Sequence, residues 1–200
     1  SAFPSFPARS VHVAVVDPGV GSDRRGIAVA VGQHPTQPQG YLVGPDNGLF
    51  SGIWETWPIL ACVELNQPQY WRSPHSQTFH GRDIFAPVGA HLASGVPLTQ
   101  VGTPIPVSAL VQNRLPPLIP TPTGLHGCIQ AIDHFGNLVT TIPQTAVIGK
   151  SWAVQLGTEV VPGQATYSDR PVGSVVALIG SHGWVELGIN QGNAAHTLQL

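Results

Sequence analysis

The 200-residue chain is 42% hydrophobic, enough to bury a core in one large domain or two small ones, which excludes an intrinsically disordered polypeptide. Only 9% of its residues are charged and its formal net charge is −2, so it offers no basic footprint for nucleic acid and no polybasic surface for anionic lipid. No apolar run approaches the roughly 20 residues needed to cross a bilayer, and a soluble, cytoplasmic protein acting on a small neutral or zwitterionic ligand is expected.

Glycine (23) and proline (20) are abundant and favour short strands and tight turns over long helices. Val11 to Val16 is an apolar run interrupted only by His12 and Ala14, and Asp17-Pro18-Gly19 stops it. This pattern predicts a buried strand that delivers Asp17 at its C-terminal end. Ile27 to Val31 and Gly40 to Val43 read as further strands. Gly48 to Trp57 places Leu49, Ile53, Trp54 and Trp57 at helical spacing, and Leu60 to Leu65 returns to a strand-like run.

The clearest helix is predicted near Ile84 to Ser94. Ile84, Phe85, Val88 and Leu92 give it one apolar stripe, Gly95 and Pro97 end it, and Pro87 must lie in its first turn. Four prolines between Arg114 and Thr123 predict a stiff extended linker. Beyond it, Gly127 to Ile132, Val139 to Ile142, Trp152 to Leu156, Val175 to Ile179 and Trp184 to Ile189 read as short strands. The expected organisation is a mixed-sheet α/β domain over residues 1–116, followed by a small β-barrel-like domain, barrel or sandwich, over residues 117–200. A cleft between two such domains is a common place for a ligand.

Three polar constellations carry candidate chemistry. The loop from Asp17 to Arg25 holds two aspartates and two arginines in a chain poor in charge, which points to a functional site. A structural Asp–Arg pair closing a turn is the alternative. His80, in Thr78-Phe79-His80-Gly81-Arg82-Asp83, sits just ahead of the predicted helix, where the positive end of the helix dipole disfavours imidazolium. His75, His80 and Asp83 lack further ligands at zinc-like spacing, and no metal is expected. Cys62 and Cys128 are far apart without spaced partners, and are expected to be free, buried thiols.

The third constellation is a set of turns in the second half, Asp133-His134-Phe135-Gly136-Asn137, Ser181-His182-Gly183-Trp184 and Asn190 to Ala195. Their amides and flanking aromatics suit a purine held by stacking and edge hydrogen bonds, although each alone is also an ordinary Asx turn. Gly19-Val20-Gly21 is a poor phosphate loop, since strand rather than helix follows it and no lysine is near.

These same residues carry a resemblance. The runs VVDPGVGSDRRGIAV (15–29), VGPDNGLF (43–50), TFHGRDIFAPVGAHLASGVPL (78–98), DHFGNLVTTI (133–142) and NQGNAA (190–195) resemble the S-adenosylmethionine hydroxide adenosyltransferase family, relatives of the adenosyl chlorinases and fluorinases. The resemblance implies a mixed α/β N-terminal domain, a β-barrel-like C-terminal domain and a homotrimer with active sites between the N-terminal domain of one subunit and the C-terminal domain of the next. It implies S-adenosyl-L-methionine as substrate rather than cofactor, with no other cofactor. Asp17, Arg24 and His80 match the positions that surround the attacking water, with Arg25 as the alternative to Arg24 if the loop register differs by one. Asp133 would hold the methionine ammonium, Phe135 and Tyr167 would flank the adenine, Asn137, Asn193 and Ala194 would lie along its polar edge, and Ser181 would receive the carboxylate. His182 stands where the halide-using relatives have arginine.

The resemblance also implies a further stretch ahead of residue 1, comprising a strand with a ribose-binding aspartate, a helix and a second strand. A truncated chain, a split protein and a natural remnant are the explanations it leaves open. Three functions therefore compete: hydrolysis of S-adenosylmethionine, halide-dependent adenosyl transfer, and adenosine binding without catalysis. The aspartate of the DPGVG turn and the histidine of HGRD, which the halide-using relatives lack, favour hydroxide over halide.

Overall fold

Period-two alternation organises the first half of the chain. The computed structural model describes residues 3–34, 36–54 and 56–199, in two compact units, Ser1–Arg114 and Leu115–Leu200. The first unit is built on five strands: β1 (Ser10–Val13), β2 (Gly26–Val31), β3 (Gly40–Pro45), β4 (Ile59–Glu64) and β5 (Thr103–Pro104). Their spatial order is β1-β3-β2-β4-β5. The β1–β3 pair is parallel and the other pairs are antiparallel, so this is the mixed sheet expected.

β2 shows why the sheet is a central layer. Ala28 packs with Val43 and Val63 into one buried cluster, whereas its neighbours Ile27 and Val29 pack with Leu42 and Cys62 into a second cluster on the opposite face. Alternate side chains of a strand point to opposite faces, and both faces here are covered. The first cluster is completed by Ile84, Phe85, Val88 and Leu92, the four residues of the predicted apolar stripe. The second includes Phe3, Phe50 and Leu110.

Several elements differ from expectation. β1 ends at Val13, and β1 is an edge strand whose Val13 is exposed, not a buried one. Past it, Ala14 N still donates to Val43 O (3.0 Å), but Asn47 Nδ2 donates to Val16 O (2.8 Å), so a side chain replaces the ladder as the segment approaches Asp17. Gly44 permits this path, because a Cβ there would lie 2.3 Å from Ala14 O. The helix expected over 48–57 is a single turn, α1 (Ser51–Trp54), as suits a segment with Gly52 inside it and Pro58 just beyond. The helix expected over 84–94 is α2 (Ala86–Ala93), with Pro87 in its first turn and a π-helical turn, Gly81–Phe85, leading into it.

Among the described residues the second unit is all-β apart from one short α-helix and two single 3-10 turns. Its strands are β6 (Ile119–Thr121), β7 (Gly124–His126), β8 (Ile129–Ile132), β9 (Leu138–Pro143), β10 (Ala153–Leu156), β11 (Glu159–Pro162), β12 (Val175–Ile179) and β13 (Trp184–Ile189), and α3 (Ala194–Leu198) follows them. They form an antiparallel sheet in the order β12-β13-β9-β8 and two hairpins, β6–β7 and β10–β11. Among the described residues the strands do not close into a barrel. The β6–β7 hairpin takes the end of the proline-rich segment, so the extended stretch is shorter than the prolines imply. Leu138, Val161, Val175, Ala177, Leu187, Ile189 and Ala194 form this unit's core. Cys62 is buried and Cys128 half-buried, both as free thiols.

Phe85 is fully buried between the sheet and α2. Phe85→Ala is expected to cost about 3–5 kcal/mol, read as a lowered urea midpoint by tryptophan fluorescence. A loss below about 1 kcal/mol would mean that the ring is not part of the core.

Candidate active site

In the first unit, three loop residues far apart in sequence meet. Asp17 ends the segment that follows β1, Arg24 precedes β2, and His80 immediately precedes the π-helical turn. Arg24 Nε donates to Asp17 Oδ1 at 2.8 Å, Arg24 Nη2 donates to Asp17 Oδ2, and Nη2 also lies 2.8 Å from His80 Nδ1. The side chains of Arg24 and Asp17 are only 12% and 7% exposed, so their contact is largely shielded from water. Arg24 also lies over the Phe85 ring, with 5.2 Å from its Cζ to the centroid. The packed helix thus helps to hold the guanidinium.

The arrangement fixes the histidine's tautomer. A guanidinium only donates, so His80 Nδ1 is the acceptor, and the neutral ring carries its proton on Nε2. Burial, and next the positive charge of Arg24, lower the His80 pKa, with His75 adding to the effect and Asp17 and Asp83 opposing it. Neutral His80 therefore presents an N–H donor on its free side. Such a ring orients a water or stabilises a hydroxide rather than accepting a proton at Nδ1.

The neighbouring charges are committed elsewhere. Arg25 donates to Asp46 Oδ2 through Nε (3.1 Å) and Nη2 (2.6 Å) and also to Ala109 O, so Arg24, not Arg25, faces Asp17 and His80. Asp83 is wholly buried and accepts from Ser76 N (2.8 Å) and from Arg82 Nε (2.7 Å) and Nη2 (2.9 Å). These bonds tie down the segment on both sides of His80. His75 packs edge-on against Trp71, and among the described residues no group of three or more His, Cys, Asp or Glu side chains converges as a metal site would.

In the second unit, a cavity of about 770 Å³ is lined by Asp133, Phe135, Asn137, Tyr167, Ser181, His182 and Glu186 among others. A cavity of this size holds a drug-sized ligand. Asp133 closes the β8–β9 turn: its Oδ1 accepts from Phe135 N (2.9 Å) and Asn137 N (2.8 Å), and its Oδ2 from Asn137 Nδ2 (3.1 Å). Desolvation pushes its pKa up, but those hydrogen bonds together prevail and hold the carboxyl below its ordinary value. Tyr167 lies across β13, which requires Gly188, since a Cβ there would sit 2.8 Å from its ring. A second cavity of the same volume, lined by both the β6–β7 and the β10–β11 hairpins, has among the described residues only His126 and Cys128 as titratable lining groups.

Asn193 and Ala194 do not line the polar cavity. Asn193 caps α3, its side chain accepting from His196 N at 2.7 Å, and Ala194 is buried in the core. They bear on the cavity from behind, since Ala195 N donates to Gly136 O (2.9 Å) in the Asp133 turn. Sequence reasoning overlooked Glu186. It is 4% exposed on β13 and accepts from the Tyr167 hydroxyl, while its Oε2 lies 2.8 Å from His182 Nε2. The available signal was an acidic residue inside the apolar run Trp184 to Ile189. Burial first, and then the hydrogen bond to Glu186, push the Tyr167 pKa up.

Comparison with known proteins bears on both units. The N-terminal domain profile of the SAM hydroxide adenosyltransferases matches residues 1–102, and the C-terminal domain profile matches residues 127–200. The chain belongs to this family. The "(R)-S-adenosyl-L-methionine hydrolase" of Thermus thermophilus is 39% identical over 207 residues, spanning 100% of this chain and 75% of the relative. That of Salinispora arenicola is 38% identical, spanning 98% and 73%. A crystal structure of an uncharacterised conserved protein from Thermotoga maritima superposes with a TM-score of 0.82 at 28% identity, over 98% of this chain and 75% of that one. In this family member no described helix is long and apolar enough to cross a membrane.

If neutral His80 is required, the acid limb of the pH–kcat profile is expected below the ordinary histidine value of 6.5. Activity would be full above that value and lost as pH falls through the lowered pKa. The depressed pKa also means that the stability contributed by neutral His80 is present above 6.5 and lost on the same descent. His80→Gln should abolish that limb, and a limb unchanged in this variant would assign it to another group.

Proposed function

We propose that this protein hydrolyses S-adenosyl-L-methionine to adenosine and L-methionine, with Asp17, Arg24 and His80 acting on the water. The observation that carries the reading is the convergence of these side chains through Arg24 Nη2. Membership of the family and the names of its relatives support the choice of substrate.

Chemically, water oxygen bonds to the ribose 5′ carbon, the C5′–S bond breaks, its electron pair leaves with the neutral thioether, and the water's proton is released. The sulfonium needs no general acid. The obstacle is the nucleophile, since bulk water has a pKa of about 15.7, and each unit of depression represents about 1.36 kcal/mol of preference for hydroxide. Arg24 and the Nε2–H of His80 supply donors to the developing hydroxide, and Asp17 holds Arg24 in place. With neutral histidine the trio has zero net charge, so it does not repel the sulfonium. The substrate's own positive charge adds to the stabilisation of hydroxide.

In the cavity of the second unit, Asp133 takes the ammonium, Phe135 and Tyr167 flank the adenine, Asn137 meets its edge with Asn193 and Ala194 behind, and Ser181 receives the carboxylate. A homotrimer would join this half-site on one subunit to the Asp17–Arg24–His80 half-site on the next. We place the protein in the cytoplasm, which agrees with its two free thiols, and assign it no cofactor.

Incubation with S-adenosyl-L-methionine and chromatography for adenosine tests the reaction directly. Arg24→Ala is expected to lower kcat by at least about a hundredfold with little change in KM, because the guanidinium serves the nucleophile and not the nucleoside. Equal effects on both constants would contradict the assignment. Arg24→Ala and Asp133→Ala subunits, each inactive alone, should regain up to roughly a quarter of wild-type activity when co-refolded, by statistical pairing of intact half-sites. No recovery, or a monomer mass by light scattering, would reject the trimer.

A further inference from the structure

The cavity of the second unit is acidic. Asp133 and Glu186 both line it, and among the described residues its lining includes no Lys or Arg. His182, the one imidazole among the described lining residues, is committed on both sides. Trp184 N donates to His182 Nδ1 (3.2 Å), and His182 Nε2 donates to Glu186 Oε2 (2.8 Å). With both ring nitrogens engaged by the protein, His182 has no spare donor for a ligand carboxylate. Ser181 provides a neutral hydroxyl only. Asp133 and Glu186, in contrast, impose a field that favours cations throughout the cavity.

We propose that the cavity selects the cationic end of its substrate and reads the carboxylate weakly, with Glu186 as a specificity-determining residue, so that decarboxylated S-adenosylmethionine is also cleaved. The proposal rests on the assignment of this cavity to the substrate. The reaction is the same displacement: water oxygen bonds to C5′, the C5′–S bond breaks with its electron pair going to sulfur, and adenosine, 3-(methylthio)propylamine and a proton result. S-adenosyl-L-methionine carries a net charge of +1 at neutral pH and the decarboxylated analogue +2. Losing the carboxylate forfeits hydrogen bonds from a neutral hydroxyl to a charged acceptor, worth about tenfold in affinity. The additional net positive charge gains about tenfold from one carboxylate at about 10 Å and an effective permittivity near 20.

The two sulfonium compounds are to be compared as substrates, by adenosine release, and as ligands, by calorimetry on the intact protein. The expected result is that kcat/KM values for the two agree within about threefold, and a decarboxylated analogue a hundredfold poorer in both measurements would overturn the proposal. Glu186→Gln should weaken the decarboxylated compound about tenfold more than S-adenosylmethionine, whereas a merely structural role would weaken both equally. His182→Arg, in an exposed turn and independent of the fate of Glu186→Gln, should shift preference towards S-adenosylmethionine by a similar factor, and an unchanged preference would count against charge selection. If the wild-type protein cleaves neither compound, the hydrolase reading fails, while the calorimetric ranking still decides the selection by charge.

Discussion

The contact on which the candidate chemistry depends is the guanidinium of Arg24, which donates to Asp17 on one side and to His80 on the other. Because arginine cannot accept a hydrogen bond, this one group determines which nitrogen of His80 is protonated. Because it is largely buried over Phe85, its geometry is set by the core as much as by its polar partners. A lysine would supply the charge without the planar fork that reaches two partners at once.

The supporting structure follows from that constraint. Asp17 arrives on a segment that has left the sheet, guided past β3 at a glycine and fastened by Asn47. His80 arrives on a loop fastened by the buried carboxylate of Asp83 and continued by a π-helical turn, a departure from regular helix that recurs at functional sites. Nearby Arg25, next in sequence to Arg24, is consumed by Asp46 and serves the fold. In the second unit, the equivalent organiser is Glu186, whose carboxylate engages Tyr167 and His182 from the middle of a strand. A buried carboxylate is costly unless its hydrogen bonds are made, and here both oxygens have donors.

Much of this was legible in the sequence. The apolar runs that became β2, β3, β4, β12 and β13 were visible because strands buried on one or both faces need uninterrupted or alternating hydrophobic residues, and the stripe of α2 was visible for the same reason at helical period. β11 and β7 were missed, since Gly124 to His126 is short and exposed throughout and Glu159 to Pro162 buries only Val161, too little for a pattern to register. The end of β1 was misplaced because Val15 and Val16 look like strand residues, and only a tertiary contact from Asn47 takes them out of the ladder.

The sequence alone determined the types of side chain available, the mixed α/β then β order of the chain, and the few loops dense enough in charge to hold a site. Whether Arg24 or its neighbour faces the histidine, which nitrogen of His80 is protonated, and that Glu186 opens into a cavity were decided only by the tertiary structure. The reason is physical: hydrophobic periodicity is a local property of the chain, whereas the partner of a polar side chain is chosen by which loops the packed sheet brings together, across separations of seven to fifty-six residues for Arg24 alone.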